Sequence, residues 1–259
     1  MNYYENRKYS DEELLIRVMD KETIKNLMAR RAFYYANNQR RREIEELWVS
    51  DPAYRSTASY GRNWGYYVGM DSIMNYYVTE HEKKQMAALE ALGVEAAPEN
   101  LGWGCSAFHE TTTPMLYIAG DGKTARGLWY VPGQETIMQP DGTAKCYWTM
   151  DNMSADFVKE EDGWRLWHLV VCSDFFVEAG TDFQEGTLDP LTGPDPFRDE
   201  FGTPDIPMVV HNPRYNLSDN YPPMPLPYDT YTVEGSLAPE GHPRRLDGYY
   251  KFRKGGAAK

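Results

Sequence analysis

Between residues 106 and 177 the sequence alternates runs of β-branched and aromatic residues with short turns, and this pattern limits the fold more than any other. Four strands are predicted, at about 106–119, 123–131, 145–160 and 164–177. The turn Gly120-Asp121-Gly122-Lys123 supplies residues that tolerate φ > 0, and Asp162-Gly163 does the same for the last hairpin. The first ninety or so residues read differently. Ser10 followed by Asp11, Glu12 and Glu13 marks a helix start. A second helix begins near 20–23 and places Ile24, Leu27, Met28, Arg31, Tyr34 and Tyr35 at three- and four-residue spacing. Asn37-Asn38 interrupts it, residues 41–48 resume the helical period, and 70–92 form a further helix closed by Gly93. Residues 51–70 hold too much Gly, Ser and aromatic content for a helix and read as a loop with a short edge strand. Helices first and long antiparallel strands afterwards define an α+β fold rather than an alternating parallel one.

One histidine stands in the first of these strands, among apolar and hydroxyl-bearing neighbours. Period-2 alternation puts His109 on one face with Ala107, Thr111 and Thr113, and Phe108, Glu110 and Thr112 on the other. An imidazole titrates near neutral pH, so it suits proton transfer, although a lone histidine serves equally well as a hydrogen-bonded structural residue. His168, in the strand Arg165-Leu166-Trp167-His168-Leu169, is the second histidine placed to line a pocket. His81-Glu82 lacks a second histidine at zinc spacing and reads as part of a polar helix face.

A chain of 259 residues, 41% hydrophobic, is long enough to bury a core in one decorated domain or two small ones. Its formal charge of -12 argues against nucleic acid as a partner, because phosphate binding needs clustered Lys and Arg. The basic run Arg40-Arg41-Arg42 is followed by Glu43, Glu45 and Glu46 and reads as a solvated helix face. Cys105, Cys146 and Cys172 lie far apart with no metal or disulfide spacing, so no metal site is expected. The N-terminal segment has no leader-like apolar stretch, and no run of about 18 apolar residues occurs, so a cytoplasmic location without membrane attachment is expected.

From residue 180 proline and glycine become dense, which excludes central strands. Phe197, Phe201, Tyr215, Tyr221, Met224, Leu226, Tyr228 and Tyr231 nevertheless make the segment too apolar for a disordered tail. An ordered arm is expected, packed over the pocket mouth or a partner subunit, with only the final Gly-Gly-Ala-Ala-Lys disordered.

Several motifs together carry a resemblance to a known family. They are the aromatics of the first long helix, the G-x-x-x-I element from Gly69 to Ile73, and the strand F-H-E-T-T-T-P. D-G-K-T-A-R-G-L-W-Y and D-F-V-K-E-E-D-G-W-R-L follow. Over about residues 20–178 the chain resembles the SnoaL-like branch of the nuclear transport factor 2-like superfamily. The resemblance divides it into an N-terminal helical extension (1–19), a SnoaL-like cone domain (20–178) and a C-terminal arm (179–259). It implies a curved antiparallel sheet wrapped on helices, forming a cone that holds a small hydrophobic ligand. Members such as scytalone dehydratase, bile-acid dehydratase, ketosteroid isomerase and lindane dehydrochlorinase are acid/base enzymes that use no cofactor. His109 falls where the dehydratases keep a general-base histidine. Those enzymes also hold an aspartate at the end of the first long helix, where this chain has Tyr34, Tyr35, Ala36, Asn37 and Asn38.

The expected catalytic set is therefore His109 with Tyr34, Tyr35 and Asn37, the tyrosines as hydrogen-bond donors to a substrate oxygen and Asn37 fixing the imidazole tautomer. Tyr60, Trp64, Trp129, Tyr147, Trp148, Asp151 and His168 are expected to line the substrate pocket, with Asp151 or Asp174 in place of the missing carboxylate. Tyrosines at helical spacing and tryptophans on strands equally well describe core packing. Two functions follow: a lyase or isomerase acting by proton transfer on an aromatic or polycyclic hydroxy or keto compound, or a non-catalytic protein that binds such a compound. Val158, Trp164 and Trp167 are expected to form an apolar outer patch through which the chain pairs into a homo-oligomer.

Overall fold

Ser10 opens the first helix with a reciprocal cap: its hydroxyl accepts from the Glu13 amide and the Glu13 carboxylate accepts from the Ser10 amide. The computed structural model describes residues 9–139, 141–181, 203–208, 210–211 and 221–242. Helix α1 runs unbroken over Asp11–Ala36, so the two helices expected on either side of Asp20 are one. Asp20 looks like a cap in sequence, yet it lies mid-helix and buried, accepting from Trp164 Nε1 at 2.8 Å and Lys159 Nζ at 2.9 Å. Asn37 and Asn38 end α1, Asn38 at a φ of 55°. Helices α2 (Arg40–Leu47) and α3 (Pro52–Arg55) follow. The expected loop at 51–70 also contains a small hairpin, β1 (Ser59–Arg62) and β2 (Gly65–Val68). Helix α4 (Met70–Met74), a π segment (Asn75–Thr79) and α5 (Glu80–Ala91) make one continuous rod that stops at Gly93, whose φ is 68°.

Strands β5 (Thr124–Met138), β6 (Ala144–Glu160) and β7 (Gly163–Glu178) pair as antiparallel neighbours. The strand region follows the sequence pattern for β6 and β7, whereas β5 runs seven residues beyond its expected end at 131. The strand expected at 106–119 is interrupted: β3 (Ser106–His109) and β4 (Thr112–Ile118) both pair with β5. Thr113 takes a φ of 48° at the irregularity, so the alternation drawn across Thr111 and Thr113 does not run through. Strand β1 joins β7 in parallel, and a two-residue β8 (Ile206–Pro207) closes the far edge beside β2. The result among the described residues is a mixed, open, curved sheet of eight strands, not a wholly antiparallel one.

Helix α1 packs across one face of the sheet against β3, β4 and β7. There Ile24, Leu27 and Met28 meet Trp129, Phe157 and Leu166 in the main core. Val158, Trp164 and Trp167, expected as an exposed pairing patch, are 2%, 5% and 8% exposed and belong to this core. Trp164 reaches Asp20, and Trp167 meets Tyr54 edge-on and packs at a tilt against Tyr231 within the chain.

The opposite face is covered by the arm. Tyr221 and Leu237 pack with Tyr66, Val170 and Cys172 in a second cluster. The Tyr66 and Tyr221 hydroxyls share a hydrogen bond of 2.9 Å. Leu237 donates its amide to Asp156 Oδ2 at 2.6 Å, while Arg126 Nε holds the other oxygen at 2.7 Å. Tyr228 and Asp229 add backbone bonds to the β4–β5 turn. Met224 and Leu226 are exposed, and Phe197, Phe201, Tyr215 and the terminal Gly-Gly-Ala-Ala-Lys lie outside the described residues. Ending the chain after Gly180 is expected to lower the melting temperature and to raise binding of a hydrophobic dye, because burial of Leu237 alone is worth about 1.5–3 kcal/mol. An unchanged melt would show that the arm adds nothing to stability.

Candidate active site

Three strands bring one acid–imidazole–acid group together. His109 ends β3 and pairs with Gly133 of β5, which in turn pairs with Thr149 of β6. Glu135 lies two residues along β5 from Gly133, and Asp151 two along β6 from Thr149, so period 2 aims all three side chains to one side. Gly133 makes the approach possible, since a Cβ there would stand 2.7 Å from both the Phe108 carbonyl oxygen and Thr149 Oγ1. His109 Nε2 lies 2.9 Å from Glu135 Oε1, and Nδ1 lies 3.5 Å from Asp151 Oδ2. The Tyr35 hydroxyl donates to Glu135 Oε1, and its ring sits 4.8 Å from the imidazole.

All three titrating groups are buried. Burial alone would push the imidazole down, but Asp151 and Glu135 outweigh it and raise His109 to about 9. Burial would likewise raise the two carboxyls, and the imidazolium overcomes it, holding Glu135 and Asp151 below their ordinary values. At neutral pH the group is a cation between two anions. Asp151 Oδ1 is buried with no hydrogen-bond partner among the described residues. Tyr35 is pushed well above the usual phenol value by burial and by Glu135, so it stays a donor.

These residues line a cavity of about 200 Å³. Tyr60, Tyr76, Tyr77, Met153, Val171 and Phe176 supply aromatic and aliphatic wall, while Arg31, Arg40, Arg62 and Lys84 bring positive charge. The interior is thus less uniformly hydrophobic than expected. Arg31 is matched by Glu43, with Nε 3.1 Å from Oε1 and both side chains buried. Tyr77 donates its hydroxyl to the other Glu43 oxygen at 2.7 Å.

Of the residues singled out in the sequence, His109, Tyr35, Tyr60 and Asp151 meet at this cavity. The others lie elsewhere. Tyr34 is one residue around α1 from Tyr35 and points its hydroxyl at Glu46. Asn37 is exposed and donates Nδ2 to the Phe33 carbonyl at 2.8 Å, closing the helix rather than orienting His109. Trp64 is buried away from the cavity, donating to the Tyr67 hydroxyl at 3.3 Å. Trp129 packs on Phe157 in the core, and Tyr147 stacks behind the lining residue Phe176. Trp148 is 47% exposed, since the alternation of β6 turns it away from Tyr147 and Thr149. His168 bonds the Ser59 hydroxyl at 3.0 Å and stacks on Trp167; burial lowers it to about 4, so it is neutral and structural. Asp174 pairs with His211 at 2.8 Å instead of with His109. No described residue of the arm lines the cavity; Tyr221 and Leu237 pack on the back of the sheet.

Glu135, Arg40 and His81 line the cavity without having been expected there. Arg40 turns inward, whereas Arg41 and Arg42 pair in solvent with Glu82 and Glu46. Burial, with Arg40 and Lys84 nearby, holds His81 well below the usual histidine value. Cys105 also borders the cavity, and all three cysteines are free thiols. Among the described residues no group of three His, Cys, Asp or Glu side chains is arranged to hold a metal ion. No described helix is long and apolar enough to cross a membrane.

A curved sheet packed on helices, with a buried acid–imidazole–acid group in its cavity, defines the class, and a family model agrees. The SnoaL-like domain model matches residues 17–170, and the chain belongs to that family. Among solved structures, a type 2 hexachlorocyclohexane dehydrochlorinase is similar at 14% identity, covering 65% of this chain and 95% of that one, with a TM-score of 0.45. The type 3 enzyme from Novosphingobium barchaimii LL02 gives 13% identity, 65% and 97% coverage and a TM-score of 0.46. A nuclear transport factor 2-like protein with a cystatin-like fold from Novosphingobium aromaticivorans gives 18% identity, 64% and 92% coverage and a TM-score of 0.40. No curated protein sequence matches the chain.

Proposed function

We propose that the protein is a cofactor-independent lyase or isomerase acting by proton transfer on a small aromatic or polycyclic hydroxy or keto compound. The observation that supports this is the buried Glu135–His109–Asp151 group on the wall of an aromatic-lined cavity. The imidazole is protonated at neutral pH, so it serves better as the acid than as the base expected from the family resemblance. Asp151, with one oxygen uncommitted, is the base. In an elimination Asp151 takes the proton from carbon, that C–H electron pair forms the double bond, and His109 gives its proton to the hydroxyl, which departs as water. Asp151 then returns the proton to His109 across their 3.5 Å contact. In an isomerisation Asp151 takes a proton from the carbon beside a carbonyl while His109 gives its proton to the carbonyl oxygen, forming an enol. Asp151 then delivers its proton to a different carbon as His109 takes back the hydroxyl proton.

A second reading has one observation in its favour: both ring nitrogens of His109 face carboxylates, as in a static ion cluster of a binding protein. A panel of phenolic, steroid and polyketide compounds in D2O, followed by mass spectrometry for loss of water or deuterium uptake at an acidic carbon, separates the two. Turnover that disappears in Asp151→Asn and in His109→Gln is expected. Ligand retention with no turnover anywhere in the panel would favour the binding protein.

A further inference from the structure

We propose that the cavity takes a ring bearing a carboxylate, and that Arg40 is the side chain that binds it. This rests on the cavity at His109 being the ligand site, and it names the substrate class.

The formal charge of the chain is -12, yet Arg31, Arg40, Arg62 and Lys84 line this cavity beside the His109 imidazolium. Arg31 is held by Glu43, and the imidazolium by Glu135 and Asp151. Arg40 stands apart from these pairs. It opens α2, it has no ion-pair partner within 4 Å among the described residues, and its Nε is buried without a hydrogen-bond partner. Its guanidinium carbon lies 4.5 Å from the Tyr35 ring centroid and 4.9 Å from that of Tyr77, so the group is held by aromatic rings while its Nε–H has no acceptor among the described residues. A buried guanidinium N–H left without an acceptor is costly, and the planar fork of arginine matches a carboxylate in two-point geometry.

The position suits the chemistry. The imidazole of His109 and the guanidinium of Arg40 both stand within 5 Å of the Tyr35 ring centroid and both line the cavity, so a ligand there has both within its reach. The carboxylate would anchor the ring at Arg40 and leave the opposite edge toward His109 and Asp151. Tyr60 and Phe176 offer flat and apolar wall to the ring itself.

Isothermal titration calorimetry at pH 7 with benzoate, 4-hydroxybenzoate and cinnamate, each against its own amide, tests this. The acids are expected to bind at least 10-fold more tightly than the amides, with added salt weakening the acids alone. Arg40→Gln is expected to bring the ratio close to one, and Arg40→Lys to restore part of it, in proteins shown by circular dichroism to be folded. Equal binding of acids and amides by the native chain overturns the proposal, as does an acid preference that survives in folded Arg40→Gln. If that variant does not fold, the native ratio and its salt dependence decide. The ratio needs no turnover: turnover dependent on His109 without an acid preference overturns this inference alone, and an acid preference without turnover supports it while counting against the catalytic reading.

Discussion

Glu43→Ala is expected to destabilise the fold by about 3–5 kcal/mol, the usual cost of removing one partner from a buried ion pair. Glu43 has no exposed surface, and Arg31, 3.1 Å away, is itself buried. Removing the carboxylate strands a guanidinium between α1 and α2 and leaves the Tyr77 hydroxyl without its acceptor. Burial already pushes the Glu43 carboxyl up against the pull of Arg31, so the pair holds position more than it adds net stability. Replacing both partners with apolar residues of similar volume, Arg31→Met with Glu43→Leu, is therefore expected to cost much less than Glu43→Ala. Urea unfolding of the three proteins checks this. A double variant as unstable as the single one would mean that shape, and not unpaired charge, sets the cost.

His109→Gln is expected to reduce turnover by roughly 100-fold or more, the scale of a positioned proton-transfer group, while leaving the fold intact. The pH dependence follows from the raised value. As an acid His109 is active below about 9, so the native rate should fall as pH rises through that value; a base would gain activity there. Stability carries the same sign. A histidine raised from ~6.5 to about 9 on folding contributes stability that is complete below ~6.5 and is lost as pH rises through about 9. The difference in melting temperature between the native chain and His109→Gln should accordingly narrow between pH 7 and 10. A constant difference would contradict the assigned charge state.

The strands and their turns were legible because β-branched runs and Asp-Gly turns are local signals, and β6 and β7 lie within about a residue of the expected limits. The parallel pairing of β1 with β7 was not, since a four-residue strand containing Gly61 has no pattern that announces a distant partner. Asp20 misled because an acidic residue inside a helix looks the same as a cap until its partners on β6 and β7 are known. The site was half visible. His109 and Asp151 stand out as polar residues in apolar strands. Glu135 was hidden because Pro132-Gly133 reads as the end of a strand, whereas β5 continues to Met138. Period-2 counting through Pro132 would have placed Glu135 on the same face as Val131 and Trp129. Arg40 was hidden by its neighbours: three arginines in a row read as one solvated face, but a helix turns each by about 100°, and only the first faces the cavity.

The charge state of His109 is the centre of this account, and an NMR titration of its ring in the whole chain measures it directly. The imidazole should titrate near 9 in the native protein and at a lower pH in both Glu135→Gln and Asp151→Asn, each of which removes one of the charges that hold its proton. A ring that titrates at or below ~6.5, unmoved by either substitution, would show a neutral histidine at the cavity wall and contradict its role as the acid.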